Sequence, residues 1–157
     1  MPDRINQFTR RDTSVMTKSQ AISQQFKHVE IMPIHLLLGM TETDGSIAQA
    51  VLQDFEIIHI NLAQFFQSNY PASEVDYSIE AMGLSDACQS ALELSVQSTI
   101  ENNDHYIGTE HLLAGIIRLN SPDIIKILSH FKVSPKAISD RIRYYLDEAE
   151  SSDNKQD

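Results

Sequence analysis

Apolar residues return along this chain at three- and four-residue intervals, the spacing of helices with one buried face. Leu84, Ala87, Ala91, Leu94 and Val96 to Ile100 place such a face on a helix of about 85 to 103. Thr109 reads as the N-cap of the next, followed by Glu110, whose negative charge suits a helix N-terminus. Ser121-Pro122 and Ser134-Pro135 each pair a capping hydroxyl with proline at the first helical position. They open helices carrying Ile124, Ile125, Ile127 and Leu128, then Ile138, Ile142, Tyr145 and Leu146. The first half follows the same plan: a helix from about Thr9 to Phe26, a short one opening at Pro33, one capped by Ser46 and one from about His59 to Phe66.

That parallel is a sequence repeat. An offset of 76 aligns residues 28–66 with 104–142 without a gap, and Ile31, His35, Leu36, Leu37, Gly39, Leu52 and Phe55 recur as Ile107, His111, Leu112, Leu113, Gly115, Leu128 and Phe131. Met40/Ile116, Val51/Ile127, Ile57/Val133 and Leu62/Ile138 match in character at helical spacing. The fold expected is therefore all-α, two pseudo-twofold four-helix repeats packed as one globular domain. Residues 8–66 form the first, divergent repeat and 84–146 the second. Residues 67–83 have no clean period and read as a linker within which Tyr70, Tyr77, Ile79 and Met82 could pack across the repeats. Residues 147–157 are acidic and polar, and are expected to be a disordered tail.

Composition narrows the function. A chain of 157 residues can bury a core without disulfides or metal, and scarce glycine and proline favour helix. A net charge of -10 with no basic cluster argues against a nucleic-acid partner. No apolar run is long enough to span a bilayer and the N-terminus lacks a signal-peptide core, so a cytoplasmic protein with no membrane partner is expected. The single Cys88 falls on a helical apolar face and reads as a small core residue.

The stretch "HYIGTEHLLAGI" (His105 to Ile116) gathers two histidines, a glutamate and a threonine before an apolar run. His105 and His111 stand six apart across a helix start, which is not the i, i+4 spacing of a zinc hydrolase. His35 occupies the place of His111 in the first repeat with no carboxylate in "MPIH", so both histidines read as core, each donating to a neighbouring carbonyl. There is no nucleophile elbow and no glycine-rich phosphate loop, and an ATPase module alone exceeds this length. No enzyme activity and no cofactor or metal are expected.

"FTRRDTSVM" (Phe8 to Met16), "YIGTEHLLAGII" (Tyr106 to Ile117) and the doubled four-helix pattern resemble the Clp N-terminal domain, over about residues 8 to 146. The first repeat departs from that pattern, with Met32-Pro33-Ile34-His35 where the family has Gly-Thr-Glu-His. The resemblance implies a non-catalytic domain that docks adaptors and captures proteins for a Clp unfoldase and its peptidase. In some members each repeat also holds a pocket for phosphoarginine. A motif glutamate there pairs with the guanidinium, and a hydroxyl at the start of the repeat's first helix helps hold the phosphate. Carried over, Glu110 and Ser85 would fill these roles in the second repeat; in the first, Thr9 matches the hydroxyl but Ile34 replaces the glutamate, so that pocket is expected to be lost. The bland reading of Glu110 is a residue that only complements the helix dipole, and that of Ser85 a cap. The alternative function is an accessory subunit that controls assembly of the Clp protease or ATPase ring.

Overall fold

Helices begin in this protein where their first N–H groups find an acceptor. The computed structural model describes residues 8–72, 83–101 and 104–155. Thr9 caps α1 (Arg10–Gln25) through a reciprocal pair, its hydroxyl accepting from Asp12 N–H at 3.2 Å while Asp12 Oδ2 accepts from Thr9 N–H at 2.7 Å. After strand β1 (Glu30–Ile31), α2 (Pro33–Thr41) opens on its proline, and Ser46 caps α3 (Ile47–Asp54) by accepting from Gln49 N–H at 3.1 Å. Helix α4 (His59–Asn69) completes the first repeat. In the second, strand β2 (Gly83–Leu84) precedes α5 (Asp86–Glu101), whose Cys88 N–H is capped by Ser85 Oγ at 3.1 Å. Then come α6 (Thr109–Leu119), α7 (Pro122–Phe131) and α8 (Pro135–Lys155), the last capped by Ser134 Oγ on Ala137 N–H at 3.1 Å.

Two expectations need correction. Thr109 is not the N-cap of α6; Gly108 is, and Thr109 instead lends its hydroxyl to Ala48 N–H at 3.2 Å, in the other repeat. At the far end, the chain expected to turn to a disordered tail at Asp147 continues as α8 to Lys155. A helix already nucleated gains one residue at a time at little cost, and glutamate and alanine are good helix formers. Of the linker, Gln67 to Asn69 end α4, and Tyr70 stacks on Phe66 with ring centroids 5.8 Å apart. Tyr77, Ile79 and Met82 lie outside the described residues.

The core is built on α2 and α6, matched helices of the two repeats. Every residue of α2 is buried, and Leu112, Leu113, Ile116 and Ile117 of α6 are at most 3% exposed. Gly39 and Gly115 let the helices approach α1 and α5 at backbone contact. A Cβ on Gly39 would lie 2.7 Å from Val15 O, and one on Gly115 2.3 Å from Ala91 O. Ser19 and Ser95, also related by the offset of 76, fold their hydroxyls onto Val15 O and Ala91 O at 2.6 and 2.9 Å. Helices α3 and α7 end alike, on the left-handed residues Glu56 and Lys132, with Ile57 N–H to Leu52 O and Val133 N–H to Leu128 O both 2.9 Å.

The repeats interlock by exchanging their leading segments. Ile31 and Leu84 pair in parallel, and Phe8 pairs in parallel with Ile107. The chain then enters α1 with Thr9 N–H on Ile107 O at 3.2 Å, and α5 with Ser85 N–H on Ile31 O at 2.9 Å. Each repeat's first helix therefore starts against the other repeat's motif segment. Between α3 and α8, Asp54 Oδ2 accepts from Arg141 Nε and from the Tyr145 hydroxyl, both at 2.7 Å.

Candidate functional site

The crossed entry of α1 carries Thr9 to the second repeat's motif. A cavity of about 540 Å³ opens there, lined by Thr9, Arg10, Arg11, Ile47, Tyr106, Gly108, Thr109 and Glu110. Glu110 lies in the first turn of α6, only 4% exposed, with its carboxylate curled over Gly108 so closely that a Cβ on that residue would lie 1.5 Å from Oε1. Glycine is the residue that leaves this space. Burial raises the Glu110 carboxyl above its ordinary value, opposed by His111, by its own backbone N–H and by Arg11.

His111 holds the wall of the cavity. Its Nδ1 accepts from Gly108 N–H at 2.9 Å, so its proton is on Nε2 and goes to Asp104 Oδ2 at 2.8 Å. Glu110 Oε1 comes within 3.7 Å of His111 Nδ1. Tyr106 packs edge-on against the His111 ring with centroids 5.5 Å apart. The expected core role of His111 stands, with a carboxylate as its acceptor instead of a carbonyl.

Asp12 stands behind Thr9 and is fully buried. One carboxylate oxygen serves the cap of α1; the other, Oδ1, is the one buried side-chain polar atom among the described residues with no hydrogen-bond partner. Burial, with a contribution from Glu110, raises its pKa to about 6 against the lowering effect of Thr9 and His111. The pattern Thr9-x-x-Asp12 is a capping-box spacing legible in the sequence. Its nearness to Glu110, 98 positions away, is not.

The expected pairing of Glu110 with Ser85 is thus corrected. Of the two first-helix hydroxyls, the one that shares the Glu110 cavity is Thr9, because the repeats exchange their leading segments. Ser85 lies at a second cavity of about 310 Å³, with His28, Val29, Glu30, Met32 and Pro71. The residue in the place of Glu110 is there the fully buried Ile34, which accepts no hydrogen bond. A relay of imidazoles replaces the His111–Asp104 pair. Met32 N–H donates to His35 Nδ1 at 2.8 Å, His35 Nε2 reaches His28 Nδ1 at 2.9 Å, and His28 Nε2 faces Tyr70 O and Pro71 O, both at 3.2 Å. Burial, with the neighbouring His28, lowers the pKa of His35 to about 3, which keeps the ring neutral.

Cys88 occupies the place of Asp12 in the second repeat and is fully buried; burial above all pushes its thiol up to about 12. It is an unreactive core group. Among the described residues no group of three or more His, Cys, Asp or Glu side chains is placed to hold a metal ion, and no helix is long and apolar enough to cross a membrane.

The family model of the Clp repeat (R) N-terminal domain matches residues 7–131 and again 84–157. The chain belongs to this Clp repeat family. The ClpC ATP-binding subunit of the ATP-dependent Clp protease from Staphylococcus saprophyticus is 25% identical over 133 residues, covering 83% of this chain and 16% of that subunit. The Clp repeat chain thus spans a small part of this relative's length. Its fold matches the N-terminal domain of the chaperone ClpD from Arabidopsis thaliana with a TM-score of 0.72 at 16% identity, over 90% of this chain and 96% of that one. It also matches the ClpV N-domain in complex with a VipB peptide, with a TM-score of 0.66 at 14% identity, over 88% and 91%. The all-α architecture expected from the sequence is what these structural matches share.

Proposed function

We propose that this domain is a non-catalytic protein receptor of a Clp system, and that its Thr9/Glu110 cavity takes a guanidinium side chain of an adaptor or substrate protein, with or without an arginine phosphate. One observation carries the reading: a buried glutamate curled over a glycine at the rim of a cavity, with a second buried carboxylate behind it. A carboxylate held out of water gains most from a donor that makes charge-assisted hydrogen bonds in a fixed plane, and a guanidinium is such a donor. Family membership supports protein binding in general, and a ClpV N-domain carries a bound peptide in its own structure. In the first repeat Ile34 stands in place of this buried glutamate, and the carboxylate at the second cavity, Glu30, is exposed to water, so a single guanidinium site is the expected stoichiometry.

The test is calorimetric titration with an arginine-containing peptide and with phosphoarginine, repeated on Glu110→Ala. Saturable one-site binding of either ligand, lost in the variant, supports the reading. No heat from either ligand with folded protein overturns it, and co-purification then decides whether the domain docks adaptors by another surface or brings down ring subunits in fixed ratio as an assembly factor.

A further inference from the structure

We propose that His28 and His35 form an acid-released latch, which at neutral pH ties the exit of α4 at Tyr70 and Pro71 to the start of α2. It is independent of the guanidinium reading given above. Hydrogen bonding fixes both tautomers. Met32 N–H donates to His35 Nδ1 at 2.8 Å, so the His35 proton is on Nε2 and goes to His28 Nδ1 at 2.9 Å. The His28 proton is then on Nε2, facing Tyr70 O and Pro71 O at 3.2 Å each. Phe66 packs edge-on against both rings, with centroids 4.9 and 5.2 Å away. Every ring nitrogen has a partner, and this holds only while both rings are neutral.

An added proton sets two N–H groups face to face at one joint of the relay. Passing that clash inward would turn an N–H of His35 against Met32 N–H, with the His35 ring 0% exposed and its pKa held down to about 3 by burial and by His28. Passing it outward needs only that His28 turn into the cavity of about 310 Å³ that it lines with Glu30, Met32 and Pro71. There the imidazolium gains water and the exposed Glu30 carboxylate, while Tyr70 O and Pro71 O lose their donor. The other titratable groups about the pair are Tyr70 from α4, the exposed Lys27 before His28 and the exposed Asp86 after Ser85, with Cys88 of α5 and Asp123 of α7 beyond. Among the described residues no carboxylate is hydrogen-bonded to either ring. In the second repeat Asp104 stands in the place of His28 and accepts the His111 proton as a carboxylate, with no tautomer to lose, so no latch is built there.

Nuclear magnetic resonance on the whole chain between about pH 7.5 and 4.5 tests this, for wild type and for His28→Gln, whose amide still donates to a carbonyl but takes no proton. Ring-nitrogen shifts report the tautomers. Hydrogen exchange of the Tyr70 amide, donated to Phe66 O at 2.9 Å, reports the hold on the end of α4. A released imidazole titrates at about 6.5, so Tyr70 protection should fall by up to about ten-fold per pH unit below that value in wild type and stay level in His28→Gln. The Leu113 amide of α6 should keep its protection in both. A level Tyr70 profile in wild type, an equal fall in His28→Gln, or a fall shared by Leu113 overturns the latch, as does a proton on Nδ1 of either ring at neutral pH. Should the variant not fold, wild type decides alone: His28 should become charged at the same midpoint at which Tyr70 loses protection, and separate midpoints overturn the proposal.

Discussion

Between pH 4 and 6 two buried groups of this domain titrate in opposite senses, and replacing Asp12 by asparagine should unmask one of them. Asp12 has a pKa raised from 3.8 to about 6 in the folded state, so between those values the folded protein holds a proton that the unfolded chain has released. Stability therefore falls by about 1.4 kcal/mol per pH unit as pH rises through this window. His35 does the reverse. Its pKa is lowered from 6.5 to about 3, the unfolded chain holds the extra proton, and stability rises with pH by about the same amount per unit from about 3 to 6.5. The two slopes nearly cancel in wild type. In Asp12→Asn only the His35 slope remains, so the variant should gain about 2 kcal/mol relative to wild type on going from pH 4 to pH 6. Urea unfolding followed by far-ultraviolet circular dichroism at pH 4, 5, 6 and 7 measures this, and the titrating groups that do not interact with Asp12 cancel in the difference between the two proteins. Parallel pH profiles would refute the burial of Asp12 as a destabilising charge.

Gly115→Ala should cost about 3 kcal/mol or more, because its Cβ would lie 2.3 Å from the Ala91 carbonyl oxygen, which moves only with α5 itself; a near-unchanged melting temperature would contradict that packing. Lys132→Gly should stabilise by about 1 kcal/mol, since residue 132 has φ 58° at the end of α7, and a loss of stability in denaturant would refute it. Cys88 should resist iodoacetamide in the native protein and react on unfolding in urea, as a fully buried thiol held up to about 12 requires; native labelling at the rate of a free thiol would show otherwise.

The sequence by itself determined the helices, the doubling and the family. The Ser-Pro pairs, Pro33 and Ser46 act over three or four residues, so the starts of α2, α3, α7 and α8 could be read from them. The repeat of Ile-x-x-x-His-Leu-Leu-x-Gly likewise announces a buried helix wherever it occurs. Only the tertiary structure decided which hydroxyl meets Glu110. Local pattern assigns Ser85, the hydroxyl of the same repeat, but backbone pairing of Phe8 with Ile107 and of Ile31 with Leu84 exchanges the partners and brings Thr9 instead. The same exchange explains Thr109, whose hydroxyl serves Ala48 of the other repeat, and Asp12, whose cap is local while its unpaired oxygen acquires meaning from Glu110. Capping and amphipathic burial are set by neighbours in the chain. Charge placement across the interlocked repeats is set by contacts between residues nearly a hundred positions apart, for which no local spacing gives a signal.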